Sequence, residues 1–518
     1  MFKKIIAVLL TVLTVFAFSS CEKKTVSNGK NTETAKKETN TETSQNAGFT
    51  LLYCDSDTFD PYSAQTKANQ QLCQLLFDSL IKTDDNLKVR HCLAKKVEGN
   101  GTDKYKIYLK SAVFSDGSRV TADDVVYSIK LAKKSKTRYK NQLEKVKTYT
   151  AEGSNCVSIK LKSGSPNFAY SLDFPIVKEG SVKKIDKNST IKPPIGSGRY
   201  VLDLKNKQIS VNKKYNGQKP KIKAIQLLCA PDDESANHYI EMGGVSLVYS
   251  DLSEGKIPTM NGNLSEVHLN NLVYLGLNFK KSSLLNNENM RYAVASGIDR
   301  SAIVKQAYYS YAEPAKGPFR SEWNQAASLQ NLENEQNVDV SVANLEKMGY
   351  NDKNADGYYI NQNGDEITLS LLCNDNASRV AAAELIKEQL SAVGIRVIVN
   401  KVPWKTYQKE LKAGNFDLYL AEVKIETDLD ISPLISNKSA LNFGMSKKGK
   451  ANKSYSAFKK YLKGELPLSD FLNSFYTEMP FVPVCYRNGT VISSKNLSSV
   501  PSSSYSDIFY GIEQLKLN

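Results

Sequence analysis

Between Ile367 and Ala421 the chain alternates two periodicities, and no other stretch constrains its fold as strongly. Ile367 to Cys373 reads as a strand, and Val380 to Val393 spaces its apolar residues along one helical face. Ile395 to Val399 is a second strand, Thr406 to Lys412 a second helix and Phe416 to Ala421 a third strand. A β-α-β-α-β run with short connections predicts a parallel sheet within an α/β fold. Ligands of such sheets gather beyond the carboxyl ends of the strands. Those ends are Asn374 to Asn376, Pro403-Trp404 and Glu422, so Trp404 and Glu422 become candidate binding residues on topology alone.

The preceding part is also mixed. Phe49 to Cys54 and Tyr105 to Leu109 read as strands, and Asn69 to Ile81 carries Leu72, Leu75, Leu76 and Leu80 at helical spacing. Phe114 to Gly117 is a turn, and Thr121 with Asp124 three residues on is a helix start. Apolar residues make up 41% of the chain and charged residues 24%, which suits a packed globular body. The length predicts about three domains.

The first twenty-one residues are of another kind. Met1 to Lys4 is positive, Ile5 to Phe18 is apolar except for Thr11 and Thr14, and Ser19-Ser20-Cys21 follows. The apolar run is too short to span a bilayer and fits a cleaved export signal over residues 1–20. A cysteine at the cut is similar to bacterial lipoprotein signals, in which that cysteine is acylated. Phe18 stands where such signals favour Leu. The reading is a lipidated Cys21 holding the protein at the outer face of the cell membrane, with an ordinary cleaved signal as the alternative. Residues 22–48 are almost devoid of apolar side chains and read as a disordered linker.

Several functions find no support. The formal charge is +15, but it comes mostly from dispersed Lys with no nucleic-acid motif, so solvated faces explain it. The eight cysteines show no CxxC spacing and His91, His238 and His268 are scattered, which argues against a zinc site. The cysteines read mostly as small buried hydrophobes, with one or two disulfides left open. Asp352 to Gly357 imitates the start of a calcium loop, but Asn363 stands where that loop needs Glu, and a turn explains the same residues. No nucleophile elbow, H-E-x-x-H or P-loop is present, so no catalytic residue, cofactor or metal is assigned.

A series of segments then falls in a recognisable order. Tyr105 to Leu109 is followed by Phe114-Ser-Asp-Gly117 and Thr121-Ala-Asp-Asp-Val-Val-Tyr-Ser128. Next come Gly196-Ser-Gly-Arg-Tyr200, Asn212-Lys-Lys-Tyr215, Leu275-Gly-Leu-Asn278 and Met290 to Arg300. Leu345 to Gly357, Leu385 to Ile395 and Phe416-Asp417 complete the series. Together they resemble the extracellular solute-binding protein family 5, the oligopeptide, dipeptide and nickel receptors of ABC importers. The resemblance covers residues 49–518.

That resemblance implies a type II periplasmic-binding-protein-like α/β fold, with two lobes joined by a hinge plus an inserted third subdomain. Lobe 1 is expected in 49–85, 190–265 and 485–518, the inserted subdomain in 86–189 and lobe 2 in 266–484. The expected function is capture of an extracellular peptide between the lobes and delivery to a membrane ABC permease, by a monomer and without catalysis. Alternatives are a nickel, haem or sugar cargo, an exported hydrolase, or peptide capture for signalling. Relatives place an acid for the peptide's amino terminus just after the F-D strand. Glu426 falls at that position, while the family's Trp and Asp-Tyr pair are missing from Glu422 to Asp430. Further pocket candidates by position are Asp60 and Tyr62, Asn278, Trp404 and Tyr407. Arg300 reads as structural, behind Asp299 as a helix cap.

Overall fold

A computed structural model describes residues 48–518 except 100–102, 183–192, 254, 256, 334, 437–440, 442 and 445–452. The export signal, Cys21 and the linker up to residue 47 lie outside the described residues. None of the described helices is long and apolar enough to cross a membrane.

The molecule is organised by one large sheet. Its strands are β1 (Leu247–Ser250), β2 (Gly262–Leu277), β3 (Ala312–Pro314), β4 (Thr368–Asn374), β5 (Arg396–Val402), β6 (Leu418–Lys424) and β7 (Phe481–Ser494). The order is β1-β7-β2-β6-β4-β5, with β3 also paired to β7. β4 runs parallel to both β5 and β6, so the alternating stretch forms the parallel unit its periodicity predicts. The helices Ala377–Val393 and Trp404–Ala413 make its crossovers, and each ends on a glycine in the left-handed region, Gly394 and Gly414.

Two hydrophobic cores share this sheet. One holds Leu272 to Leu277 of β2, the parallel unit and β7 up to Tyr486. The other holds Phe49, Leu51, Val267, Leu269 and Val491, together with side chains from residues 72–177. β2 therefore leaves the first lobe after Leu269 and enters the second at Leu272, and β7 makes the return beside it. At the crossing the ladder is broken: His268 pairs with Asn488 but Asn271 pairs with Arg487, leaving Leu269 and Asn270 as a bulge. These two strands are the hinge between the lobes.

In the first lobe, Phe49–Tyr53 pairs in parallel with Ala224–Cys229 in a four-stranded sheet. A second four-stranded antiparallel sheet contains Lys104–Leu109, the expected strand. The helix expected over Asn69 to Ile81 instead spans Lys67–Leu76. Its early end has a visible cause: Gly198 N donates to Leu76 O at 3.0 Å. A Cβ at Gly198 would collide with the Leu75–Phe77 backbone, so this contact needs glycine. The helix Ala122–Lys134 starts as predicted, with Asp124 accepting from Thr121 N at 2.8 Å. Asp299 caps its helix by accepting from Ala302 N at 2.7 Å, and buried Arg300 donates to Pro483 O at 2.9 Å.

The calcium-like segment is a hairpin, Asp352–Lys353 against Tyr359–Ile360. Asp356 there pairs with Arg396 at 3.0 Å. The seven described cysteines are all free thiols, five of them buried, so those residues contain no disulfide.

Candidate ligand cleft

β6 sets the geometry. Its pairing with β2 runs the whole strand, to Lys424 opposite Asn271. Its pairing with β4 covers only Leu418 and Tyr419. The Leu420 carbonyl accepts from Tyr407 Oη at 2.8 Å. Beyond it, from Ala421 to Lys424, the second edge of β6 has no strand partner among the described residues. The free edge lies at the carboxyl end of a parallel strand, where such folds keep their ligands.

The chain then turns through Ile425 to Asp430 and meets the first lobe. Lys145 Nζ lies 2.5 Å from both Asp428 and Asp430. Ser171 and Thr427 hydroxyls are 3.3 Å apart, and Asn167 donates to Tyr461 Oη at 3.2 Å. Burial would raise the Asp430 carboxyl, but Lys145 outweighs it and holds the group below its usual range.

Lys424 and Glu426 stand differently. Both side chains are open to water, and neither makes an ion pair among the described residues. Yet protein on several sides depletes their hydration. Burial, then the charge of Arg138, pulls the Lys424 ammonium below its ordinary value. Burial, then Asp428, pushes the Glu426 carboxyl up. The charges that act on Lys424 from other elements are those of Arg138, itself paired with Asp173 at 3.2 Å, Asp173 and Asp251.

Glu422 has a different setting. Arg487 Nη2 at 2.5 Å, Arg379 Nη1 at 3.1 Å and Asn271 Nδ2 at 2.8 Å all donate to it. It lies beside the cleft with its carboxylate engaged. Trp404 is 53% exposed and stacks on Tyr407 with ring centres 5.6 Å apart, while Tyr407 is buried. Asn278 is buried at the end of β2 away from the lobe crossing. There it donates to Gly414 O and Phe416 O and fastens that loop. Asp60 closes a turn by accepting from Tyr62 N at 3.0 Å and Ser63 Oγ at 2.7 Å. Tyr62 is buried and donates to Pro175 O. The structure brings Glu422 and Glu426 to one strand end and Trp404 and Tyr407 to one helix start. Asn278, Asp60 and Tyr62 are satisfied by their own surroundings.

Sequence reading missed Lys424, Arg138 and Lys145. Position i to i+2 on an extended chain, same-facing with Glu426, was the available signal for Lys424. The other two come from a segment far away in the chain, Lys145 standing 283 positions before Asp428, and had none. A cavity of about 410 Å³ lies elsewhere, at the seam of the first lobe, lined by Asp78, Lys82, Cys92, Arg199 and Tyr215 among others.

Two lobes on a pair of crossing strands, with Glu422, Lys424 and Glu426 gathered at the end of a strand of the parallel unit, define the type II binding-protein class of fold. The sequence profile of the bacterial extracellular solute-binding proteins, family 5, matches residues 88–440, and the chain belongs to that family. It is 26% identical over 487 residues to the oligopeptide-binding protein AppA of Bacillus subtilis, covering 88% of this chain and 89% of AppA. The solved AppA structure, in complex with a nonapeptide, aligns with a TM-score of 0.55 at 23% identity, over 91% of this chain and 99% of that one. The unliganded open form of the periplasmic murein tripeptide-binding protein MppA gives 0.71 at 17% identity, over 91% and 97%. A nickel ABC transporter structure from Bacillus halodurans gives 0.71 at 18%, over 90% and 99%. The chain is thus an ABC transporter substrate-binding protein and not an enzyme.

Proposed function

We propose that this protein is a lipid-anchored receptor that captures an extracellular peptide between its lobes and hands it to a membrane ABC permease. The observation carrying the reading is the edge of β6 from Ala421 to Lys424, which has no strand partner among the described residues, continued by the water-accessible carboxylate of Glu426. An extended peptide can add itself to such an edge, gaining main-chain hydrogen bonds that do not depend on its side chains. Glu426 would take the peptide's ammonium group, a charge-assisted bond in a poorly hydrated setting. Likeness to AppA over most of both chains supports a peptide cargo. Acylated Cys21 and the polar stretch after it would keep the molecule at the outer face of the membrane as a monomer. In this reading the segment 86–189 is an insertion into lobe 1, and lobe 2, expected over 266–484, runs from the strand crossing near Leu272 to Tyr486.

Native mass spectrometry of protein purified without refolding tests the cargo. A series of adduct masses fitting peptides supports the reading. A single mass fitting a nickel chelate, a haem or a sugar overturns it. Metabolic labelling with a fatty-acid analogue, lost in Cys21→Ser, tests the anchor.

A further inference from the structure

The bulge at the lobe crossing is filled by charge. Arg320, 1% exposed, donates to Leu269 O at 2.7 Å inside the bulge and to Asn488 Oδ1 at 3.1 Å across it. Its other contacts are Glu322 at 2.7 Å and Glu313 at 3.2 Å. His268 completes the group, with Nε2 3.3 Å from Glu313 and Nδ1 3.4 Å from Glu322. Nδ1 is also 3.0 Å from the carbonyl of Asp85, on the tip of the hairpin formed by Ile81–Thr83 and Val89–His91, whose next apolar residue, Leu87, is buried in the core of the second lobe.

The members come from both sides of the hinge. His268 and Glu266 precede the crossing on β2. Glu313 on β3, Arg320 and Glu322 belong to the second lobe, and Asp85 to the first. Arg487 and Asn488 of β7 stand on the floor, and Asn488 donates to Glu266 at 2.6 Å. Two carboxylates and an imidazole this close could suggest a cation, but the Arg320 guanidinium already occupies that role.

We propose that the His268–Glu313–Glu322 cluster is a proton-operated pivot, in which a proton held on the carboxylate pair favours the present lobe arrangement and its loss loosens it.

The charges explain why. Arg320 neutralises one carboxylate, leaving a second beside it and near Glu266. Burial, partial because the side chain keeps 35% exposure, then a hydrogen bond shared with Glu322, pushes Glu313 up to about 7. Burial opposes ionisation of Glu322 too, but Arg320 outweighs it and holds that group down at about 2. A lobe rotation that takes Glu313 away from Glu266 and completes its hydration returns it toward an ordinary carboxylate. The sign follows from linkage. A raised value means this arrangement binds the proton more tightly, so its advantage is complete below the ordinary carboxylate value and fades as pH climbs to about 7. The proposal does not depend on what the cleft binds.

The test is small-angle X-ray scattering of the ligand-free full chain between pH 4.5 and 8.5, with the fluorescence of Trp323 followed in Trp404→Phe. These are the only two tryptophans, and Trp323 adjoins Glu322 in sequence. The ratio of the two lobe arrangements should shift by about tenfold or more across the range, and Trp323 emission should titrate with it. Glu313→Gln, uncharged at every pH, should hold the low-pH arrangement at pH 8.5. Scattering of the unsubstituted chain that is flat with pH overturns the proposal, and so does a Glu313→Gln variant that titrates as the parent does. The first needs no variant, so a folding failure cannot mask it.

Discussion

Arg487 joins the two lobes through Glu422. Its Nη2 donates to Glu422 on β6 at 2.5 Å, and its Nη1 donates to the Asp251 carbonyl of the first lobe at 2.6 Å. Arg379 adds a second guanidinium to the same carboxylate. Glu422 thus sits where two positive charges need one negative charge, close to the free edge of β6.

Removing that carboxylate should therefore cost stability. Glu422→Ala leaves two poorly hydrated guanidiniums without their shared acid, and loss of one partner from a buried pair costs about 3–5 kcal/mol. Urea unfolding should show a fall of about 3 kcal/mol, at the lower end because the site is partly hydrated. A variant as stable as the parent would mean that water replaces the carboxylate.

Glu426 should behave in the opposite way. Its side chain is open to water and makes no ion pair among the described residues, so Glu426→Gln should leave stability within about 0.5 kcal/mol of the parent. Calorimetry with the peptide identified by mass should show a loss of tenfold or more, and N-acetylation of that peptide should cost the parent as much. The carboxyl is raised, so it must ionise before it can pair. Affinity should climb as pH rises above the ordinary carboxylate range.

A second buried network ties the chain's end to its beginning. Asp507 lies 2.7 Å from Arg199 and 3.0 Å from Lys82. Burial works against its charge, but the two cations outweigh burial and hold Asp507 below the usual range. A depressed carboxyl gives stability that is present above its unfolded value and lost as pH falls toward the folded one. Acid unfolding below about pH 4 should be steep in the parent and shallower in Asp507→Asn, which should also lose about 3 kcal/mol at neutral pH.

Gly276 in β2 faces the ring of Tyr419 on β6, and a Cβ there would run into that ring. Tyr419 is buried and edge-packed on Tyr274 and Phe416, so it has little room to move. Gly276→Ala should destabilise the second lobe by about 1–3 kcal/mol in thermal unfolding. A neutral result would show that the Tyr419 rotamer shifts at little cost.

The amino-acid sequence by itself determined the parallel unit, the helix caps at Thr121 and Asp299, and the turn at Phe114 to Gly117. Each rests on residues within a few positions of one another, whose spacing fixes a hydrogen-bonding pattern or a buried face. It also placed Glu422 at a strand end, because that end follows from topology, while Glu426 was singled out by the family resemblance. Only the tertiary structure decided which of them is engaged, since Arg487 and Arg379 reach Glu422 from other elements. The same holds for the early end of the Lys67–Leu76 helix, set by Gly198, and for the bulge where Arg320, Glu313 and Glu322 close around His268. These contacts join residues far apart in the chain. Ion pairing and hydration depend on which groups the folded core brings together, and local periodicity carries no record of that.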